Sequence, residues 1–301
     1  MLRNYYLTTP LYYVNDVPHV GHAYTTIIGD ILTRYQRMLG NSVCYLTGTD
    51  EHGLKIERAA SNSGLSTQEF TNQNSAAFQD VWNKMKLDFD EVVRTTDLKH
   101  IETVRSVFKI IKDNGYIYVG EYSGQYCVRD ESYVAADLTI CPECGGKTEL
   151  IREESYFFKL SAFQKKLLAF YRDNPNFVLP KSRLNEIVSF VERGLKDISI
   201  SRTSFSWGIP VPQNDQHIFY VWFDALLGYL SGVGFTSDKK SFDKNWPTNI
   251  HIMGKDILRF HGVYWPAFLL AANIPPPKRS TRSGFPHMNP ENEARRLSIY
   301  S

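Results

Sequence analysis

Residues Tyr5 to Leu46 read YYLTTPLYYVNDVPHVGHAYTTIIGDILTRYQRMLGNSVCYL, and this stretch decides the fold. Tyr5, Tyr6 and Leu7 open a short buried-strand pattern. A polar, proline-containing loop follows from Asn15 to Pro18, and a helix is predicted from about Gly21. Tyr24, Ile27, Ile28, Ile31, Leu32 and Tyr35 recur at helical spacing and predict one apolar face. Gly40-Asn41 stops the helix, and Val43 to Leu46 reads as a second strand. Strand, helix and strand make a parallel pair with a right-handed crossover, the opening of a doubly wound α/β sheet.

The rest of the chain extends that beginning. A second helix is predicted near Ser66, where Ser66 and Glu69 have capping-box spacing, and helical patterns continue to about Asn114. From Gly115 to Phe158 the texture changes to aromatic-rich strands, glycines and three cysteines, which predicts a small β-rich insertion. Helical patterning resumes at Ala162–Tyr171 and Leu184–Leu195. Ile218–Phe223 reads as a strand, and Ala225–Leu230 and Phe260–Ala272 as helices. The expected organisation is two halves of one Rossmann-type α/β domain (1–114 and 159–277) around an insertion (115–158). After Pro275-Pro276-Pro277, the composition of Lys278 to Ser301 predicts a disordered tail.

Composition narrows the function classes. With 43% hydrophobic and 22% charged residues, the 301-residue chain is neither disordered, collagen-like nor coiled coil. A net charge of +2 implies no charge-driven partner, so any nucleic-acid site must be a local patch. The longest apolar stretch, Trp265 to Ile274, is about half of the ~20 residues that a membrane span needs. The first ten residues, MLRNYYLTTP, lack the charged head and apolar core of a signal peptide. Cys127, Cys141 and Cys144 fall close together, which points to metal or packing in a reducing compartment, and the expected location is the cytoplasm.

Four motifs carry chemistry. Pro18-His19-Val20-Gly21-His22 lies between a strand and a helix, where free N–H groups and the dipole favour anions. Two imidazoles there can donate to phosphate, and Gly21 lets a flat base approach; a His pair that merely caps the helix is the bland alternative. Thr47 to Gly53 (TGTDEHG) follows the second strand, where α/β sheets bind ligands. Asp50 could there receive an ammonium or a ribose hydroxyl, or simply cap a helix. Tyr220 to Tyr229 passes from strand to helix, with Trp222, Ala225 and Tyr229 able to line an apolar pocket that suits a thioether, or to form an aromatic core. Gly254-Lys255-Asp256 with Phe260-His261 offers a lysine for phosphate, a carboxylate for ribose and a histidine for the pocket.

Together these motifs resemble one family. HVGH (19–22) is similar to the class I aminoacyl-tRNA synthetase signature HIGH. TTPLYYVND, LTGTDEHG, ESYFF, ISR followed by WGIPVP, YVWFDAL, and GKDILRFH with WPA resemble the methionyl-tRNA synthetases, in order, from about Tyr5 to Pro277. The resemblance implies a Rossmann-type parallel sheet with a zinc-knuckle-like connective-peptide insertion. It also implies ATP-dependent activation of methionine to methionyl-adenylate and transfer to tRNA(Met), with ATP and Mg2+ as substrate. On it, His19 and His22 bind ATP phosphates and stabilise the transition state. Gly21, Lys255 and Asp256 bind ATP or adenylate. Asp50 holds the methionine ammonium, and Leu11, Tyr13, Trp222, Ala225, Leu226, Tyr229 and His261 shape the methionine pocket. Cys127, Asp130, Cys141 and Cys144 stand where a zinc site is expected, with Asp130 replacing a usual cysteine.

The resemblance ends after Pro277. The family continues there into a final strand, a KMSKS loop and an anticodon-binding domain, and none of these is legible in Lys278 to Ser301. The expectation is a chain truncated before KMSKS and impaired in activity, its sheet short of a last strand. Back-translation one base out of frame permits a KxSK-type text in this tail, which suggests a frame shift near Pro277. The readings carried forward are a methionine–tRNA ligase, a non-catalytic methionine- or ATP-binding remnant, a product that does not fold stably because its sheet is incomplete, and related class I enzymes for leucine, isoleucine, valine or cysteine. A separate chain that complements the missing half, and no membrane, complete the expected partners.

Overall fold

The structure, a computed structural model, describes residues 3–129, 132–134, 137–142 and 144–282. Its centre is a six-stranded sheet. In spatial order this runs β3 (Glu91–Arg94), β2 (Ser42–Asp50), β1 (Asn4–Tyr13), β12 (Ile250–Met253), β13 (Ser280–Arg282) and β7 (Val178–Leu179). Every neighbouring pair is parallel. From β1 the chain winds through β2 to β3 on one side, while β12 flanks β1 on the other. The strand order therefore reverses between β1 and β12, which is where open α/β sheets bind ligands.

The crossover α1 (Val20–Met38) joins β1 to β2, and α2 (Leu54–Asn62) and α3 (Thr67–Lys84) join β2 to β3. Ser66 caps α3 through the expected reciprocal bonds with Glu69. After β3, α4 (Leu98–Asp113) leads to an antiparallel four-stranded sheet of β4 (Ile117–Cys127), β5 (Ser132–Val134), β6 (Glu149–Phe158) and β8 (Ile198–Ser199). Between β6 and β8 lie α5 (Gln164–Asp173) and α6 (Lys181–Glu192). A small sheet of β9 (Ser201–Arg202), β10 (Pro210–Val211) and β11 (Asn214–Phe219) feeds α7 (Val221–Leu226), α8 (Gly228–Ser231) and α9 (Lys239–Asn245). Finally α10 (Trp265–Ala271), entered through a π-helical turn at Phe260–Tyr264, joins β12 to β13.

The largest core includes Val107, Phe108, Phe223, Trp265 and Phe268. A smaller core, between α1 and the sheet, joins Leu7, Tyr45, Ile250 and Ile252 to Ile28 and Leu32. Here the structure corrects the expected apolar face of α1. Ile28 and Leu32 pack inward, but Ile27, Ile31 and Tyr35 are 38%, 58% and 54% exposed. The residues that α1 buries are Thr25, Thr26, Gly29, Asp30 and Thr33. Close approach is the reason: the Tyr45 hydroxyl donates to the Thr26 carbonyl (2.8 Å), and a Cβ on Gly29 would run into that ring. Small residues are required at the contact, and hydrophobic periodicity does not register them.

Other expectations shift as well. The helical reading to Asn114 is interrupted by β3, four residues long and thus too short for its pattern to be seen. The strand expected at Ile218–Phe223 ends at Phe219, and Val221 to Phe223 are already helical. The expected tail begins as structure. Lys278 donates its N–H to Thr248 (2.8 Å), and Ser280 pairs with both His251 and Val178. Hydrogen bonds to two flanking strands outweigh a polar local composition, so the last strand expected to be missing is present as β13. Residues 283–301, on which most of the disordered-tail and shifted-frame expectations fall, lie outside the described residues.

Candidate functional site

The carboxyl ends of β1, β2 and β12 and the amino end of α1 meet along one edge of the sheet. A bulge between Thr8 and Leu11 resets the register so that Leu11 pairs with Gly48 and Tyr13 with Asp50. Glycine is needed at two neighbours of Leu11. A Cβ on Gly48 would strike the Val93 carbonyl and approach Leu11, and one on Gly228 would strike Leu11 directly. The Lys55 ammonium stands 5.4 Å from the centre of the Tyr13 ring.

At the start of α1, His19 is the N-cap. Its Nδ1 accepts the Gly21 N–H (3.1 Å), and Nδ1 of His22 accepts the His19 N–H (3.2 Å). The two rings stack with centroids 3.7 Å apart. Burial, helped by the neighbouring His19, pushes the His22 pKa down to about 3, so His22 is neutral at pH 7. With Nδ1 accepting, the neutral His22 ring carries its proton on Nε2, and an accepting Nδ1 likewise leaves Nε2 as the donor of His19. The helix terminus thus presents imidazole donors together with the positive end of its dipole, a combination suited to an anion.

The Tyr12 ring, 4.9 Å from that of His22, also acts electrostatically on Tyr229, which belongs to a buried aromatic wall. Tyr229 donates its hydroxyl to Nε2 of His261 (2.7 Å), whose Nδ1–H donates to the Ile257 carbonyl (3.0 Å). Burial pushes the His261 pKa down to about 4, and that of Tyr229 up. The Asp50 charge also acts on Tyr229, so the carboxylate and this wall share one electrostatic neighbourhood. Behind them, Trp265 donates its indole N–H to His251 (3.2 Å), which bonds to Thr8 (2.6 Å). Trp222 stacks on Phe260 with centroids 3.7 Å apart. Ala225 and Leu226 are buried, Leu226 within the main core. Past β12, Lys255 and Asp256 are exposed, and the Asp256 carboxylate folds back over Gly254.

Two buried ionic networks were not assigned roles from the sequence. Glu51 takes a bidentate contact from Arg94 (2.7 and 2.9 Å) and bonds from Thr49, Ser75 and Thr96. Burial alone would raise its pKa, but these five donors outweigh burial and hold it low. Asp224 is fully buried between His52 (2.7 Å) and His100 (2.5 Å), which likewise outweigh burial and hold its pKa low. Positions 51 and 94, or 52, 100 and 224, share no spacing. The only sequence signal was that Glu51, His52 and Asp224 fall inside motifs already singled out.

The cysteines gather elsewhere, at the end of the four-stranded sheet. The sulfurs of Cys127, Cys141 and Cys144 lie within 4.8 Å of one another, Cys127 and Cys144 at 3.5 Å, and none forms a disulfide. Thiolates on a tetrahedral zinc, each ~2.3 Å from the metal, lie about 3.8 Å apart, so this donor set fits zinc. The Gly146 N–H points at the Cys144 sulfur (3.4 Å). Asp130, expected as a fourth ligand, lies outside the described residues.

Comparison with known proteins bears on this arrangement. The family model described as "tRNA synthetases class I (M)" matches residues 5–149 and 141–293. The methionine–tRNA ligase of Rickettsia felis is 50% identical over 289 residues, 95% of this chain and 56% of that protein. That of Helicobacter pylori is 50% identical over 89% of this chain and 43% of its own length. Mycobacterium tuberculosis methionyl-tRNA synthetase in complex with methionyl-adenylate superposes with a TM-score of 0.91 at 45% identity, covering 93% of this chain and 57% of that one. Its free state gives 0.81. The chain spans about half the length of the curated relatives it matches. Among the described residues no helix is long and apolar enough to cross a membrane.

Proposed function

The chain belongs to the class I tRNA synthetases of the methionine type, and on that premise we propose that it carries the site that converts methionine and ATP to methionyl-adenylate and pyrophosphate. One observation carries this reading. At a single sheet edge, Tyr12 links the imidazole pair, its ring 4.9 Å from that of His22, to the Tyr229–His261 wall, and both Tyr12 and the buried Asp50 act electrostatically on Tyr229. The methionine carboxylate attacks the α-phosphorus, the bond to the bridging oxygen breaks, and pyrophosphate leaves. No side-chain nucleophile is needed, so catalysis is positioning and charge stabilisation. His19 and His22 donate from Nε2 to phosphate oxygens as charge moves onto them, and Gly21 admits the base. Asp50 takes the ammonium. Leu11, Tyr13, Trp222, Ala225, Leu226, Tyr229 and His261 enclose the thioether side chain. A neutral His261 suits this role, since a charged ring would repel the ammonium held by Asp50. Asp256 bonds a ribose hydroxyl, and Lys255 meets phosphate. Mg2+ enters as part of the nucleotide substrate.

Transfer of the methionyl group to tRNA(Met) is the second half of the proposal and concerns the whole protein. Cys127, Cys141 and Cys144 would hold a zinc ion, which would supply folding energy to the four-stranded sheet.

The test is calorimetric titration of methionine and ATP, together with ATP–pyrophosphate exchange against methionine, leucine, isoleucine, valine and cysteine. Exchange that depends on methionine alone supports the proposal. Methionine binding without exchange selects a non-catalytic binding role, and preference for another amino acid refutes the assignment.

A further inference from the structure

Asp224 takes no part in the chemistry proposed above, yet it ties together the segments that carry it. His52 lies two residues beyond Asp50, on the turn that leaves β2. Asp224 lies on α7 between Trp222 and Ala225. Its Oδ2 accepts from Nδ1 of His52 (2.7 Å) and its Oδ1 from Nε2 of His100 (2.5 Å). On the far side, Nδ1 of His100 meets the Ser231 hydroxyl (3.0 Å), which also contacts the Gly228 carbonyl (3.1 Å). Ser231 lies on α8, two residues past Tyr229.

We propose that Asp224 is a positioning residue for methionine. Through His52 it fixes the turn that bears Asp50. Through its own backbone it fixes Trp222 and Ala225, and through His100 and Ser231 it fixes the helix that bears Tyr229. The ammonium-binding and side-chain-binding halves of the pocket come from segments 172 residues apart in sequence, and these bonds hold them at one spacing. A buried carboxylate is expensive to desolvate, and an apolar packing of similar volume generally stabilises a core at least as well. Short charge-assisted bonds in a dry interior instead impose geometry. Misplacing a reacting or binding group by about 1 Å can cost ~100-fold in rate. The inference rests on the methionine reading above.

The test is Asp224→Asn, which keeps the volume but presents one imidazole N–H with an amide NH2 in place of an acceptor. Methionine and ATP affinities are measured by calorimetry on the whole chain, and the imidazole 15N shifts of His52 and His100 are followed by NMR. The expected result is a methionine Kd raised at least ~10-fold with the ATP Kd within about twofold, because a purely structural lesion weakens both ligands together. The His52 ring signals should also move on methionine addition in the wild type and not in the variant. Ser231→Ala breaks only the far link and leaves Asp224 paired with both histidines; it should weaken methionine about threefold or more at unchanged ATP affinity, and it decides the matter should Asp224→Asn not fold. A folded variant that binds methionine within twofold of wild type, or loses both ligands equally, overturns the inference alone. A wild-type chain that binds no methionine overturns the functional reading, and this inference with it.

Discussion

Acidification should destabilise the protein through His261, by an amount that follows from the structure. The ring is 1% exposed, with Nδ1–H committed to the Ile257 carbonyl and Nε2 accepting from Tyr229. Burial lowers its pKa from 6.5 to about 4. The unfolded chain therefore binds a proton that the folded chain refuses throughout that interval. The stability owed to this residue is complete above pH 6.5 and is lost as the pH falls toward 4, at ~1.4 kcal/mol per unit. Between pH 7.5 and 5 the loss amounts to about 2 kcal/mol. In His261→Gln, the amide can still accept from Tyr229 and donate to Ile257 but cannot titrate. Urea unfolding of both proteins at pH 7.5 and 5, followed by tryptophan fluorescence, isolates the difference, since His22 contributes equally to each and burial, the first cause of the low His251 pKa, is the same in both. The wild type should lose about 2 kcal/mol more than the variant on acidification. Equal losses would refute a neutral buried His261, and with it the uncharged wall proposed for the methionine pocket.

Three further outcomes are expected. Gly228→Ala forces a methyl against Leu11 and should cost about 1–3 kcal/mol in urea unfolding while weakening methionine binding; an unchanged melting temperature would show that Leu11 is not confined there. Ser66→Ala removes the capping box of α3 and should cost ~1 kcal/mol with no change in ligand affinity. Cys141→Ser should abolish the zinc measured by atomic emission in purified protein and lower the protease resistance of the four-stranded sheet; wild-type protein that holds no zinc after purification in zinc-supplemented buffer would count against the site.

Much of the sheet edge was legible from local text. The start of α1 falls one residue from its expected position, its stop lies at Gly40-Asn41, and Ser66 and Glu69 form the reciprocal cap that their spacing predicts. Such features depend on residues three or four apart, and the physics that makes them acts over that distance. The short strands β3, β7, β12 and β13 were missed because two to four residues carry no period of their own; they are strands only because a neighbour supplies hydrogen bonds. The tail expectation at Lys278 failed for the same cause. The face of α1 was misjudged because a helix pressed close to a sheet needs small residues at the contact, which leaves Ile27, Ile31 and Tyr35 outward.

By itself, the sequence determined the βαβ opening and the family of the chain, because motif order and short-range spacing encode these. Only the tertiary structure decided protonation and partnership. Burial makes His22 and His261 neutral, a carbonyl and a hydroxyl orient His261, and Asp224 meets two histidines that lie 124 and 172 residues away in sequence. Desolvation and hydrogen-bond geometry belong to the space around a group. That space is assembled from distant segments only once the chain has folded.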